Sequence, residues 1–195
     1  MNEAAPPTYV ARANVLEHEA VWRLAPDALE LQGGPAAGPD VVMRLPYRDI
    51  VGVRLSYAPS RADSARYRCD LTMRSGAALA ILSTHYAGFA DFEDRAATYA
   101  PFVRALIARV AAANPSARYR TGRNPVAYWA EHLFLIAMIA LLVFVLSVTG
   151  FAPLSESSWA KFAVIIGSIP LLLVYSRKNW PGRFAPDAIP KDVLP

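Results

Sequence analysis

A run without charge constrains this chain more than any other feature. Residues 133–155 carry no charged side chain, and their first part, LFLIAMIALLVFVLSV, is 16 successive apolar or small residues. A helix of about 20 residues crosses the roughly 30 Å hydrocarbon core of a bilayer. The run therefore predicts a first transmembrane helix over residues 128–151. The alternative interpretation is a helix buried in a soluble core.

A second apolar run, FAVIIGSIPLLLVYS, covers residues 162–176. Starting it at Trp159 makes it long enough to span, with interfacial aromatic residues at both ends. We therefore predict a second transmembrane helix over residues 159–176, joined to the first by an external loop over residues 152–158. Small residues in this helix predict close helix contact, and a proline predicts a kink. The residues concerned are Gly167, Ser168 and Pro170.

Basic residues flank both predicted helices, and their distribution predicts the orientation of the hairpin. Loops on the cytoplasmic side of a membrane carry an excess of lysine and arginine. Three basic residues precede the first helix and three follow the second, whereas the connecting loop has one at its edge. The pattern predicts both termini in the cytoplasm and the lipid bilayer as a partner. The flanking residues are Arg118, Arg120, Arg123, Arg177, Lys178 and Arg183.

The part before the hairpin has the patterns of short strands followed by one helix. Val53, Leu55 and Tyr57 alternate with small or polar neighbours, a period typical of a strand with one buried face. From Phe89 to Asn114 the apolar period becomes helical, with Pro101 predicting a kink or a break. Further strands are predicted at residues 20–24, 28–32, 41–45, 67–73 and 77–83.

These elements predict an α+β fold class. An antiparallel β-barrel or sandwich is capped by a C-terminal amphipathic helix and followed by the two-helix transmembrane hairpin. The predicted order is an N-terminal segment over 1–18, the strand-and-helix domain over 19–114, a basic juxtamembrane linker over 115–127, the hairpin, and a Pro-rich tail over 177–195.

Four segments carry a resemblance to known proteins. They are VWRLAPDALEL from Val21, VRLSYAPSRADSARYRCDL from Val53, FEDRAATYAPFVRAL from Phe92 and RFAPDAIPKDVLP from Arg183. With them, the chain resembles a family of uncharacterised bacterial membrane proteins that carry a cytoplasmic pleckstrin-homology-like (PH-like) domain. The resemblance implies a PH-like domain that starts as early as residue 8, and a multi-pass location in the bacterial inner (plasma) membrane. The family brings no established activity with it.

The sequence offers few residues for catalysis. One cysteine and three histidines do not suffice for a disulfide or a typical metal site, and no nucleotide-binding or hydrolase motif is present. Cys69 and His85 are a candidate nucleophile and base, but the apolar neighbours of Cys69 favour a core position. Glu131 and His132 lie at the edge of the first predicted span, where ionisable residues do not indicate a transport pathway. We expect no enzyme activity, no metal and no cofactor.

The loop over residues 58–68 is the candidate binding feature. Its arginines and serines are suited to an acidic headgroup or a phosphate. The alternative is a solvated strand face that Asp63 and Asp70 partly neutralise. Because 20 basic residues stand against 16 acidic ones, a nucleic-acid partner is not expected. The candidate anion contacts are Arg61, Arg66 and Arg68.

The tail is too apolar for a solvated end, and we expect it to pack on the PH-like domain or on a protein partner. The function predicted from the sequence is a membrane-anchored, non-enzymatic binding or scaffolding protein. One alternative is a small accessory subunit of a membrane complex that assembles through its transmembrane helices. An enzyme of unknown class is the third interpretation.

Overall fold

The computed structural model describes residues 6–34, 41–59, 66–88, 91–148, 176–177 and 179–195. Its contacts divide the chain into two compact units. Met1–Gly122 and Gly182–Pro195 form the first, which we call the sheet unit. Arg123–Pro181 form the second, which we call the helical unit.

Four antiparallel strands form sheet A, in the order β1-β2-β3-β4. Successive side chains of a strand point to opposite faces, so Trp22 and Leu24 enter the core while Arg23 stays outside. Tyr47, in the 3₁₀ turn after β4, donates its hydroxyl to the carbonyl oxygen of Ala25 over 2.9 Å. The strands are β1 (Thr8–Ala11), β2 (Ala20–Leu24), β3 (Ala28–Gln32) and β4 (Val42–Pro46).

Five strands form sheet B, in the order β11-β10-β5-β6-β7. The pair β10 and β5 is parallel, and the other pairs are antiparallel. Gly76 turns the chain between β6 and β7 at φ +87°, a conformation that glycine adopts without strain. The strands are β5 (Ile50–Tyr57), β6 (Tyr67–Met73), β7 (Ala78–Leu82), β10 (Arg118–Thr121) and β11 (Gly182–Arg183).

A hairpin of β8 (Thr84–Gly88) and β9 (Asp91–Asp94) precedes helix α1 (Ala96–Ala113). The helix predicted from residue 89 onward therefore begins later than expected, because residues 91–94 form β9. The carboxylate of Asp94 accepts a hydrogen bond from the N–H of Ala96 over 2.8 Å. Pro101 lies in an uninterrupted helix. The buried face of α1 is Tyr99, Phe102, Val103, Leu106, Ile107 and Val110.

The C-terminal segment after β11 packs on the sheet unit. Phe184 stacks edge-on against Tyr119 of β10, with 5.7 Å between ring centroids. Val193 and Leu194, at the 3₁₀ turn Lys191–Val193, are buried in the core cluster. The tail was expected to pack on the strand-and-helix domain or on a protein partner, and in the structure this segment packs on the sheet unit.

The helical unit begins with helix α2 (Pro125–Val148). The side chain of Asn124 accepts a hydrogen bond from the N–H of Val126 over 3.0 Å, and a proline follows in the first helical position. Both are typical of a helix start. The helix therefore begins close to the predicted boundary at residue 128.

The predicted fold class, the membrane keywords and the multi-pass inner-membrane location are wrong. The structure is mixed α+β with mostly sheets, and the described residues contain two α-helices and no closed barrel. No helix within the described ranges is long and apolar enough to cross a membrane.

Several predicted features lie outside the described residues. They include the loop over 152–158 and all of the second predicted helix except Ser176. The segment predicted as a basic juxtamembrane linker, residues 115–127, contains β10. The individual residues outside the described ranges are Arg61, Asp63, Gly167, Ser168, Pro170 and Lys178.

Candidate functional site: an arginine groove on sheet B

A row of arginines crosses the outer face of sheet B. Arg183 of β11 lies opposite Arg120 of β10, which lies opposite Arg54 of β5. Directly opposed residues of neighbouring strands project to the same face, with strands about 4.8 Å apart. Three cationic side chains therefore lie on adjacent strands. Asp70 of β6 continues the row on the far side of Arg54.

A groove of about 580 Å³ lies along this row. Gly52 lies on β5 between Arg118 of β10 and Thr72 of β6. A Cβ atom at Gly52 would lie 3.5 Å from the Cβ of Thr72, in ordinary contact. The missing side chain therefore leaves the groove open without a strained backbone. The lining residues are Val51, Gly52, Val53, Arg54, Thr72, Arg74, Ser116, Arg118 and Arg120.

The groove has more positive than negative charge. Within the described part of the chain, Arg54, Arg118 and Arg120 form no ion pair. Arg74 lies 3.8 Å from the carboxylate of Asp49. Because Arg54 is half-buried, desolvation lowers the pKa of its guanidinium, and the charge of Arg120 lowers it further, while the carboxylate of Asp70 partly opposes both effects. An anion placed between these two side chains would relieve their repulsion.

A buried asparagine holds one end of the groove in position. Asn114, after α1, donates from Nδ2 to the carbonyl oxygen of Ile50 over 2.9 Å, at the start of β5. Its Oδ1 accepts hydrogen bonds from the hydroxyl of Ser116 over 2.7 Å and from the N–H of Ser116. The segment that leads into β10 is thereby tied to β5, which places Arg118 at the rim.

An ion pair bounds the groove on the side of β6. Nε of Arg68 lies 2.6 Å from Oδ1 of Asp70, so these two charges largely neutralise each other. Free guanidinium groups on β10 and β5 are therefore the remaining anion-binding groups. Arginine forks bind carboxylate and phosphate oxygens in a bidentate manner, which favours ligands of those classes.

The described arginines among the anion contacts predicted for the 58–68 loop make contacts within the protein. Arg66 donates from Nε to the carbonyl oxygen of Ala58 over 2.9 Å, and Arg68 pairs with Asp70. Arg61 lies outside the described residues. The described members of the predicted cluster are thus engaged with the protein itself.

The residues predicted to orient the protein in a membrane separate into different places. Arg118 and Arg120 line the groove, and Arg183 extends its row. Arg123 lies in the helical unit, 2.6 Å from the carboxylate of Glu131, and Arg177 is exposed there. Sequence reasoning missed Arg54 and Arg74 as site residues, although strand alternation had already placed Arg54 on the wet face of β5.

The candidate nucleophile is inaccessible. Cys69 is fully buried, and desolvation raises the pKa of its thiol, which keeps it protonated. His85 lies on β8, and its Nδ1 atom is buried without a hydrogen-bond partner among the described residues. The described part of the chain holds no cluster of three histidine, cysteine or acidic side chains that suits a metal ion.

His132 has structural partners in the helical unit. Its Nδ1 lies 2.8 Å from the carbonyl oxygen of Tyr128, one turn earlier in α2. Because a carbonyl can only accept, Nδ1 carries the proton and Nε2 accepts from the hydroxyl of Ser176 over 3.2 Å. The imidazole also stacks on the ring of Tyr128, with 4.1 Å between centroids. It contributes to an aromatic cluster that includes Trp129 and Trp180.

Comparison with known proteins adds no assignment to this geometry. No family model, curated protein or solved structure matches the chain. The resemblance to bacterial PH-like membrane proteins therefore stays a prediction, and a functional proposal depends on the groove.

Proposed function

We propose that this chain is a non-enzymatic binding protein, and that its arginine groove binds an anionic ligand. The observation that carries the proposal is that Arg54 and Arg120 lie opposite each other and that neither forms an ion pair with a carboxylate of the described residues. Like charges directly opposite in a sheet cost stability, which a bound anion would recover. A ligand that bears phosphate or several carboxylates is the best chemical match.

The size of the groove favours a small ligand or one end of a larger molecule. At about 580 Å³, it falls in the range of small-molecule sites. The row of arginines spans three strands, so its outer members are about 10 Å apart at the backbone. A ligand with two anionic groups would contact more than one guanidinium.

A binding role is favoured over catalysis by the nature of the groove residues. The groove is lined by arginines, hydroxyls and aliphatic groups, none of which is an effective general base at neutral pH. Cys69 lies in the core, away from solvent. We therefore propose recognition of an anion, without a chemical step.

Calorimetric titration of the full chain with inorganic phosphate, pyrophosphate and citrate tests the proposal. Arg54→Gln and Arg120→Gln should each weaken binding about tenfold or more, because each removes a charge-assisted hydrogen-bond donor. Arg23→Gln is the matched control, because this substitution removes the same net charge from a residue of sheet A. Binding should also weaken as salt rises.

Two results would overturn the proposal. One is the absence of binding by all three anions at concentrations up to about 1 mM. The other is an equal loss of affinity in Arg120→Gln and Arg23→Gln, which would show a response to net charge and no defined site.

A further inference from the structure

The outer edge of β7 has backbone groups without a partner among the described residues. Of the described strands, only β6 pairs with β7. The N–H of Ser83 bonds the carbonyl of Tyr67, and the N–H of Met73 bonds the carbonyl of Ala77. In an antiparallel ladder, bonded pairs recur at every second residue, so Leu79 and Ile81 also face β6. The residues between them direct their backbone groups away from the sheet.

Those outward groups belong to Ala78, Ala80 and Leu82. The carbonyl of Leu82 accepts a hydrogen bond from the hydroxyl of Tyr9. The other outward N–H and C=O groups of the three residues have no partner among the described residues, and both alanines are exposed. Edge strands are usually protected by charged residues or proline. The sequence ALAIL of β7 has neither.

A cavity of about 420 Å³ lies beside this edge. Its β7 side is formed by alanines and leucines, and its other side by residues of β1, β2, β3 and the segment after β1. Trp22 and Leu31 are almost fully buried there, whereas Ala13 is only partly buried. The small residues leave room for an apolar side chain of a ligand. This cavity shares no lining residue with the arginine groove.

The two charged residues that line the cavity, Arg68 and Glu17, differ in whether they form an ion pair. Arg68 is neutralised by Asp70. The carboxylate of Glu17 accepts a hydrogen bond from Nδ2 of Asn14, a neutral group, and forms no ion pair within the described ranges. Arg12 lies nearby and donates from Nε to the backbone carbonyl oxygen of Glu17 over 2.9 Å, not to its carboxylate. The cavity therefore has at its edge a carboxylate without an ion-pair partner among the described residues, which suits a cationic side chain.

We propose that the β7 edge and this cavity bind an extended peptide segment of a partner protein. The segment adds a strand to sheet B, inserts an apolar side chain into the cavity and places a lysine or arginine beside Glu17. An extended backbone is the ligand whose N–H and C=O groups recur at the spacing of the outward groups of β7. Its main chain supplies affinity, and its side chains supply specificity.

The test uses the full chain and a display library of random peptides, followed by titration with the synthetic form of an enriched peptide. Enriched sequences should combine a basic residue with apolar residues at alternating positions. On binding, hydrogen exchange should slow at the amides of Ala80 and Leu82. Ala13→Phe, which fills the cavity, should weaken binding about tenfold or more. Glu17→Gln should remove the preference for a basic residue.

Ala112→Phe is the matched control, because it adds the same ring to an exposed position of α1. It should leave peptide affinity unchanged. The proposal is overturned if no peptide is enriched, if an enriched peptide protects other amides, or if Ala13→Phe and Ala112→Phe bind it equally. It is also overturned if the β7 amides are already protected in a self-associated form of the chain, since a second copy would then occupy the edge.

Discussion

Arg120 of β10 lies directly opposite Arg54 of β5 in a parallel pair, and both side chains line the groove. Each strand is otherwise well suited to its place, since Tyr119 and Leu55 on the same strands are buried. The repulsion between the two cations is therefore unfavourable for folding, in strands whose other residues suit their positions. Such conflicts occur preferentially at functional sites.

The opposition of Arg54 and Arg120 predicts that removing one of the two charges raises stability and weakens anion binding. Arg120→Gln should raise the free energy of unfolding by roughly 0.2–1 kcal/mol at low salt, because a like-charge pair is removed, and should weaken anion binding. Urea unfolding at low and high salt measures the first effect, which screening should reduce. Pyrophosphate should stabilise the wild type more than the variant. A loss of stability in Arg120→Gln at low salt would contradict the repulsion.

A side chain that fills the groove should abolish anion binding while the protein keeps its stability. Gly52→Val places methyl groups between Thr72 and Arg118, and a β-branched residue suits a strand. We expect a free energy of unfolding within about 1 kcal/mol of wild type and a loss of anion binding. Gly88→Val on β8 is the control and should bind as the wild type does. If Gly52→Val bound anions with wild-type affinity, the anion site would lie outside this groove.

The C-terminal segment should contribute to the stability of the sheet unit. Leu194 is 3% exposed and belongs to the core cluster. Leu194→Ala should lower the free energy of unfolding by about 2–4 kcal/mol, through lost transfer energy and a cavity. Lys191→Ala, at an exposed position, should change it by less than about 0.5 kcal/mol. Equal urea midpoints for these two variants would show that the segment does not pack as described.

Two buried tyrosines should respond differently to loss of the hydroxyl. Tyr9 donates to the carbonyl oxygen of Leu82, so Tyr9→Phe should cost about 1 kcal/mol at pH 7. The hydroxyl of Tyr99 is buried with no partner among the described residues, so Tyr99→Phe should be neutral or stabilising. Urea unfolding at neutral pH compares them. A larger cost for Tyr99→Phe than for Tyr9→Phe would contradict the assigned contacts.

The same tyrosines predict an alkaline loss of stability. Burial raises the pKa of both Tyr9 and Tyr99 in the folded state. Above the unfolded value of about 10 the unfolded chain releases a proton that the folded chain keeps, so stability falls as pH rises. The contribution is complete below pH 10 and is lost above it. Tyr99→Phe should therefore have a shallower decline in unfolding free energy between about pH 10 and 11 than wild type.

Local alternation was sufficient to predict much of the sheet unit. The strands expected at residues 20–24, 28–32 and 67–73 are β2, β3 and β6, because a buried face requires an apolar residue at every second position. Strand β10 was missed, since its RYRT sequence has only two inward-facing residues and lies among basic ones. The start of α1 was misplaced because the helical period begins at Phe89 in the sequence, whereas residues 91–94 pair with β8 as strand β9.

The membrane prediction was wrong, since no helix within the described ranges is long and apolar enough to cross a membrane. Three of the basic residues on which the predicted orientation depended, Arg118, Arg120 and Arg183, lie on strands of sheet B.

By itself, the sequence determined which face of β5 is exposed to solvent, and therefore that Arg54 points away from the core. Only the tertiary structure showed that residues 118–121 form β10 and that Arg120 lies opposite Arg54. The pairing of β5 with β10 joins residues more than 60 positions apart, and its register depends on how Asn114, α1 and the C-terminal segment pack. Side-chain alternation is a property of each strand alone, whereas register is a property of two strands and the core that both cover.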